Sequence, residues 1–221
     1  MKNSISIKNR IDSLPDECVY NFFPSPFGNL AIFVSDRGVH SIFWPNDLDK
    51  QADDWISYRF EKSSDHPVYT RATEQLAEYF SGARKAFDVP LNPLGTRFQI
   101  SAWNLLQDIP YGQTLSYEEQ AIRLGGKEKV RAVGRANGTN PIPILIPCHR
   151  VIGKNGSLTG FGGGLDVKAL LLDLESRSPV PEDPARPTCP SRDRTDRSRK
   201  TLIRMVEYPS MLAIGWFNGH Y

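Results

Sequence analysis

A cysteine beside a histidine is the first place in this sequence where covalent chemistry is possible. Cys148 follows a proline and precedes His149 and Arg150. A free thiol is mostly protonated at neutral pH, but a nearby imidazole, guanidinium or helix N-terminus lowers its pKa and makes it a working nucleophile. A lone cysteine is more commonly a buried structural residue, and neighbours in sequence need not touch in space. The residues alone leave a reactive and a structural cysteine both open.

The segments around this cysteine predict how it is positioned. Three prolines within 140–147 exclude a helix and interrupt a central strand, so this apolar run is predicted to be a stiff, buried loop. The glycines of 160–164 predict a flexible or tightly turned loop. Apolar residues at helical spacing predict a last helix over 167–174. The segment 177–221 is rich in proline and charge and is predicted to be a disordered tail.

Two short helices joined by Gly125 and Gly126 are predicted upstream of the loop, and this arrangement suggests a helix-turn-helix. The second helix, over 127–138, carries most of a basic cluster. The basic side chains of this cluster are opposed only by Glu128, and they are Arg123, Lys127, Lys129, Arg131 and Arg135. On a chain whose formal net charge is +2, such a cluster indicates either a defined anionic partner or a solvated helix face.

The first third of the chain predicts strands followed by a helix. Aromatic and β-branched residues at 19–26, 29–36 and 38–45, separated by proline and glycine, predict a small antiparallel sheet. From Pro67 the apolar spacing becomes helical, a pattern that indicates packing and no chemistry. The proline-rich stretch 88–96 is the predicted domain boundary.

Composition narrows the class of protein. The 221 residues are 39% hydrophobic and 24% charged, which is ordinary for a soluble globular chain and excludes collagens, coiled coils and wholly disordered proteins. No stretch approaches the roughly 20 apolar residues that cross a bilayer, and the N-terminus lacks the pattern of a secretory signal. Three cysteines, none in a CxxC pair, argue against a disulfide scaffold or a zinc knuckle and favour an intracellular protein with reduced thiols.

The sequence IPCHRVIG at 146–153 resembles the signature of the O6-alkylguanine-DNA alkyltransferases, also called methylated-DNA–protein-cysteine methyltransferases. The resemblance runs from about Gly95 to Glu175, through SYEEQA, RAVGRAN and the glycine-rich loop, while SPFGNLAIF and GVHSIFW resemble the family's less constrained first domain. It implies an α+β fold. A ribonuclease-H-like domain with a small antiparallel sheet would occupy 1–92, and a mainly helical, winged-helix-like domain containing the helix-turn-helix would occupy 93–176.

The resemblance also implies a role in the reaction for five residues. Cys148 would accept the alkyl group from guanine O6, and His149 would act through a water as the base that helps form the thiolate. Glu175 would orient this histidine, as the acid does in hydrolase triads. Asn140 would brace the loop before the cysteine, and Tyr117 would donate a proton to the departing guanine.

The partner implied by the resemblance is double-stranded DNA that contains O6-alkylguanine, with O4-alkylthymine as a further substrate. The target base must leave the duplex to reach a pocket, and the approach would be through the minor groove. Arg131 would fill the vacated stack, with Arg135 beside it as a DNA contact, and the small Ala132 and Gly134 would let the helix come close. The pocket walls would include Val151, Phe161 and Gly162.

The resemblance implies no cofactor and no metal, because the N-terminal region has no cysteine cluster of the kind that holds zinc. It also implies a monomer without membrane contact. The implied location is the cytoplasm, on the nucleoid of a bacterium, or the nucleus of a eukaryote.

Three other functions compete with alkyl transfer. A non-catalytic lesion-binding protein would share the fold but lack the reactive cysteine, so Cys148 opposes that interpretation. A Cys–His hydrolase needs an oxyanion-binding context that the sequence lacks. A helix-turn-helix regulator with a structural cysteine would not need the full set of Tyr117, Arg131, Asn140, Cys148, His149 and Glu175.

Overall fold

A computed structural model describes residues 4–177, with side-chain burial from residue 7 onward. Apart from Arg177, the predicted tail therefore lies outside the described residues. The N-terminal region contains a sheet of β1 (Val19–Ser25), β2 (Gly28–Ser35) and β3 (Gly38–Phe43), paired antiparallel in sequence order, with the short β4 (Glu61–Lys62) parallel to β1. The three predicted strands are confirmed.

Side chains of β2 alternate between the two faces of the sheet, as the period of a strand requires. Leu30, Ile32 and Val34 face a core that includes α3 (Pro67–Phe80), the helix predicted from Pro67. Ala31 and Phe33 face a second cluster under α1 (Ser4–Asp12) and α2 (Lys50–Arg59). Because helices cover both faces, β2 is buried along nearly its whole length.

The C-terminal region is mainly helical. It contains α4 (Arg97–Gln107), α5 (Tyr117–Arg123), α6 (Val130–Gly138) and α7 (Leu165–Arg177), with a single 3-10 turn, Lys127–Lys129, before α6. Capping boxes start two of these helices. Thr96 with Gln99 caps α4 and Ser116 with Glu119 caps α5, as their spacing predicts.

The helix-turn-helix consists of α5 and α6, and a buried polar pair joins them. Gln120 and Asn137 exchange hydrogen bonds of 2.7 and 3.3 Å between their amides. Trp103 donates its indole N–H to the carbonyl of Ala136 at 2.9 Å, which fixes α4 against α6. Between the two helices, Gly126 has φ +154°, a conformation that favours glycine.

Short segments complete the region around Cys148. β5 (Leu115–Ser116) pairs parallel with β6 (Val151–Ile152), directly after a 3-10 turn, Cys148–Arg150. One apolar core contains side chains of the N-terminal sheet, α3, α4 and the loop before the cysteine. The α+β fold class is confirmed, whereas the domain boundary between 92 and 93 stays a prediction. No described helix is long and apolar enough to cross a membrane.

Candidate active site

The proline-rich loop before Cys148 is buried, as predicted. Ile142, Ile144 and Ile146 are fully buried, and the amide of Ile146 donates to the carbonyl of Ile142 at 2.9 Å. Ile144 has φ +74°, a conformation that costs energy for a β-branched residue and persists only where the surroundings enforce it. Packing of the three isoleucines therefore holds a strained turn just before the thiol.

Asn140 braces this loop through both ends of its amide. Its Nδ2 donates to the carbonyl of Ile146 at 2.8 Å and to Cys148 Sγ at 3.1 Å. Its Oδ1 accepts from the amide of Ile142 at 3.0 Å. One side chain thus fixes the start of the loop, its end and the sulfur.

The Cys148 thiol is buried, with 5% of the residue exposed. Burial raises its pKa, while the hydrogen bond from Asn140 and the positive charge of Lys168 act in the opposite direction. Lys168 on α7 is fully buried, and its Nζ donates to the carbonyls of Val151 and Thr159 at 2.6 and 2.8 Å. A lysine held by two neutral carbonyls leaves its full positive charge in the neighbourhood of the sulfur.

His149 and Glu175 form a fully buried pair, with 2.8 Å between Nε2 and Oε1. Burial alone would raise the pKa of Glu175, but hydrogen bonds from His149 and Arg150 outweigh it and hold that pKa at about 2. Burial lowers the pKa of His149. Because an ionised carboxylate only accepts hydrogen bonds, Nε2 must carry the imidazole proton and Nδ1 must be an acceptor. Nδ1 is buried and has no hydrogen-bond partner among the described residues.

Glu175 also binds three further residues, one beside His149 and two from distant segments. Arg150 Nε lies 2.9 Å from Oε2, and its Nη2 lies 3.0 Å from Oε1. The backbone amide of Gly112 donates to Oε2 at 3.0 Å. The hydroxyl of Tyr79, on α3, donates to Oε1 at 2.8 Å. Each carboxylate oxygen therefore accepts from at least two groups, which accounts for an ionised acid in a buried position.

Tyr117 is the first residue of α5 and reaches the glycine-rich loop. Its hydroxyl donates to the carbonyls of Thr159 and Gly160, 3.1 and 3.3 Å away. A cleft of about 570 Å³ opens beside it, and Arg131 and Gly134 of α6 also line this cleft. The structure thus brings together three of the residues that the sequence assigns to the DNA side.

The four predicted DNA contacts on α6 lie on the outer surface of this helix. Arg131, Ala132 and Arg135 are exposed, and a Cβ placed on Gly134 would meet nothing within 4 Å. Within residues 4–177, neither guanidinium makes a side-chain hydrogen bond or an ion pair, and Arg135 bonds only through its backbone, to Thr139. Val133, Ala136 and Asn137 on the inner face are buried, so the helix presents small and basic groups to solvent.

The residues predicted as pocket walls have different surroundings. The ring of Phe161 lies 6.5 Å from the His149 ring and 5.6 Å from the ring of Trp44, which follows β3. Val151 is fully buried in the apolar core, and Gly162 is partly exposed. Phe161 is therefore the predicted wall residue that the structure places against the histidine.

Comparison with known proteins adds a family to this geometry. Residues 97–177 match the family model described as 6-O-methylguanine DNA methyltransferase, DNA binding domain, and residues 18–93 match the ribonuclease-like domain of the same family. A methylated-DNA–protein-cysteine methyltransferase from Methanosarcina acetivorans is 43% identical over 158 residues, covering 71% of this chain and 97% of that protein. The chain belongs to this methyltransferase family.

Further similar proteins and solved structures carry names from the same family. The inducible methylated-DNA–protein-cysteine methyltransferase of Bacillus subtilis is 50% identical over 154 residues, covering 68% of this chain and 86% of that protein. The crystal structure of Mycobacterium tuberculosis O6-methylguanine methyltransferase superposes with a TM-score of 0.65 at 38% identity, covering 75% and 96% of the two chains. A structure of the M. tuberculosis OGT in complex with DNA gives 0.63 at 39% identity, covering 71% and 92%.

Against this family background, the structure adds three buried polar residues that sequence reasoning did not assign to the site: Tyr79, Arg150 and Lys168. Arg150 is part of the segment IPCHRVIG. Because this segment is largely apolar, a charged residue within it could have been expected to have a buried partner. Tyr79 gave no such signal, because it fits the apolar face of α3. Among residues 4–177, no group of three or more His, Cys, Asp or Glu side chains is placed to hold a metal ion.

Proposed function

We propose that this chain repairs DNA by direct reversal, moving the alkyl group of O6-alkylguanine to Cys148 Sγ in a single turnover. The observation that carries the proposal is the contact series from Asn140 to the sulfur and from His149 to Glu175. It holds the nucleophile by its loop, and the next residue in sequence carries a neutral imidazole whose Nδ1 is free to accept a proton. O4-alkylthymine is a further substrate of the same chemistry.

The transfer is a substitution at the alkyl carbon. The thiol proton passes through a water to His149 Nδ1, and the positive charge of Lys168 stabilises the thiolate. The sulfur–carbon bond then forms as the carbon–O6 bond breaks. The guanine leaves with the electron pair of that bond and takes the proton of Tyr117, and the proton that His149 accepted returns to the phenolate through solvent. The product is a thioether at Cys148, which is not hydrolysed, so each molecule reacts once.

The DNA partner is a duplex, approached through its minor groove by α6. The alkylated base lies inside the stack and must be flipped out to reach a buried sulfur, at a cost of a few kcal/mol for unstacking. Arg131 fills the vacated space and Arg135 contacts the backbone, while Ala132 and Gly134 allow close approach. The protein acts as a monomer, in the cytoplasm or, in a eukaryote, in the nucleus.

The test is to mix the protein with a duplex oligonucleotide that contains O6-methylguanine and to measure the mass of the intact protein. We expect a gain of one methyl group, located on Cys148 and never exceeding one per molecule. Cys148→Ala should abolish the gain while leaving duplex affinity unchanged, because the thiol is not a phosphate contact.

Cys18→Ala is the matched control for that variant. Cys18 is also buried, and burial raises its pKa to about 12, so it is a poor nucleophile and its removal should leave transfer intact. Transfer that survives in Cys148→Ala, or a loss of duplex affinity as large as the loss of transfer, would contradict the proposal.

A further inference from the structure

Tyr79 connects the N-terminal region to the carboxylate of the active site. It lies on α3, 96 residues before Glu175 in sequence, and is fully buried. Its hydroxyl lies 2.8 Å from Glu175 Oε1, the oxygen that also binds His149, and 3.5 Å from His149 Nε2 itself. No step of the proposed reaction uses this hydroxyl.

The direction of this hydrogen bond follows from the charges. Burial and the adjacent Glu175 carboxylate both raise the pKa of Tyr79, so the phenol keeps its proton. Since the ionised carboxylate only accepts, the phenol must donate to Oε1. The ring is held by aromatic contacts with Phe87 and Tyr111, at centroid distances of 5.3 and 6.0 Å. The donor is therefore fixed in place by its own packing.

We propose that Tyr79 is a positioning residue for alkyl transfer, acting through Glu175 on His149. Its O–H donor holds Oε1 in line with Nε2 and takes up part of the negative charge on that oxygen. This keeps the imidazole in the tautomer that leaves Nδ1 as the base, and it limits how strongly the carboxylate favours a protonated His149. The inference rests on the proposed function, because it concerns the base of that reaction.

The variant Tyr79→Phe removes the donor and keeps the ring. We expect the single-turnover rate of methyl transfer from an O6-methylguanine duplex to fall about tenfold, the scale of one hydrogen bond to a charged acceptor. With more charge left on Oε1, the pKa of His149 rises. The acid limb of the pH–rate profile should therefore move to higher pH. The affinity for duplex DNA should not change.

Other charged groups around the pair do not change in this variant. The charged groups that act on His149 and Glu175 are Arg150 and Lys168, Tyr111 acts on Tyr79, and Cys148 precedes His149 in sequence. A displaced acid limb can then be assigned to the lost donor. An NMR titration of the His149 ring gives the same pKa without DNA or transfer.

Tyr69→Phe is the matched control. Tyr69 lies on the same helix, is buried, and donates its hydroxyl to the carbonyl of Phe22 at 2.9 Å, on the strand β1. Both variants lose one buried tyrosine hydrogen bond from α3, so both should lose similar stability. Only Tyr79→Phe should displace the pH–rate profile. Equal behaviour of the two variants, or a wild-type profile in Tyr79→Phe, overturns the inference.

A double variant tests the route through Glu175. In a Glu175→Gln background the imidazole is already uncoupled, so adding Tyr79→Phe should slow transfer by less than twofold. A full additional tenfold loss would mean that Tyr79 acts independently of Glu175 and would overturn the inference. Failure of the proposed function is a different result, since the wild-type protein would then gain no methyl group at all.

Discussion

Replacing Glu175 by glutamine should prevent His149 from taking the thiol proton, because both carboxylate oxygens of Glu175 accept hydrogen bonds. Oε1 accepts from His149, Tyr79 and Arg150, and Oε2 accepts from Arg150 and the amide of Gly112. The glutamine NH2 must occupy one of these positions. If the NH2 group faces His149, Nε2 has no acceptor for its proton. The imidazole proton then moves to Nδ1, and Nδ1 can no longer act as the base. If the NH2 group faces Arg150, it opposes a buried guanidinium.

The size of both effects follows from burial. Arg150 is 5% exposed and keeps a bond of 2.5 Å to the carbonyl of Ile109, so it is not left wholly unpaired. Breaking a buried ion pair costs about 3–5 kcal/mol, and we expect the lower end of that range in the free energy of unfolding. Loss of a general base lowers rates by about 10²–10⁴, and we expect about 10² near neutral pH. Without the base, the rate depends on the thiolate that forms as the pH rises. Because burial raises the pKa of Cys148, the rate should recover only at clearly alkaline pH.

The assay is single-turnover methyl transfer to the protein, measured by intact mass from about pH 6 to about pH 9, together with urea unfolding. Glu78→Gln is the control, since Glu78 is exposed on α3 and pairs with Arg84 at 2.5 Å. The same chemical change there should alter stability by less than about 1 kcal/mol and leave transfer unchanged. A folded Glu175→Gln protein that transfers methyl at the wild-type rate near neutral pH would refute the reasoning.

Two further predictions concern the exposed face of α6. Arg131→Ala should reduce transfer from duplex DNA far more than transfer from the free base O6-benzylguanine, and Arg131→Lys should restore it only partly, because lysine lacks the planar guanidinium. Equal losses on the two substrates would exclude a role for Arg131 in flipping. Gly134→Ala should stabilise the free protein by about 0.5–1 kcal/mol yet slow transfer from duplex DNA, because the new methyl projects into open space on the face that we propose meets DNA. Gly138→Ala, also open within 4 Å, should stabilise without slowing transfer, and equal rates in the two variants would contradict this.

Local signals account for the elements that the sequence predicted. Alternation and turn residues predicted β1 to β3, because the period of a strand is visible within eight residues. Capping-box spacing indicates where α4 and α5 begin, because the two partners of each box lie three residues apart. By contrast α2 was not predicted. Its sequence KQADDWISYR is largely polar and buries only Ala52 and Ile56, so its helical period is weak.

The contacts that complete the site are not local, and this is why most of them were not predicted from residue patterns. Glu175 binds Tyr79 and Gly112, at separations of 96 and 63 residues, and no pattern in either segment indicates a carboxylate partner. Lys168 shows the same limit from the other side. Its position in a helix of mixed polarity suggests a solvated lysine, but the turn of α7 directs it to the carbonyls of Val151 and Thr159. Only the fold determines which of these polar groups are buried.

Burial of Cys148 is an advantage for a protein that reacts once. An exposed, ionised thiol is open to oxidation and to small alkylating agents, and either would use up the molecule without a repair event. Burial raises the pKa of Cys148 and keeps most of the sulfur in the unreactive thiol form. Two groups that favour the thiolate are already in place: Asn140 contacts the sulfur, and Lys168 is bound to the carbonyl of Val151. His149 Nδ1 is free to accept the proton. A flipped base that enters the pocket then meets a nucleophile that needs only to lose its proton.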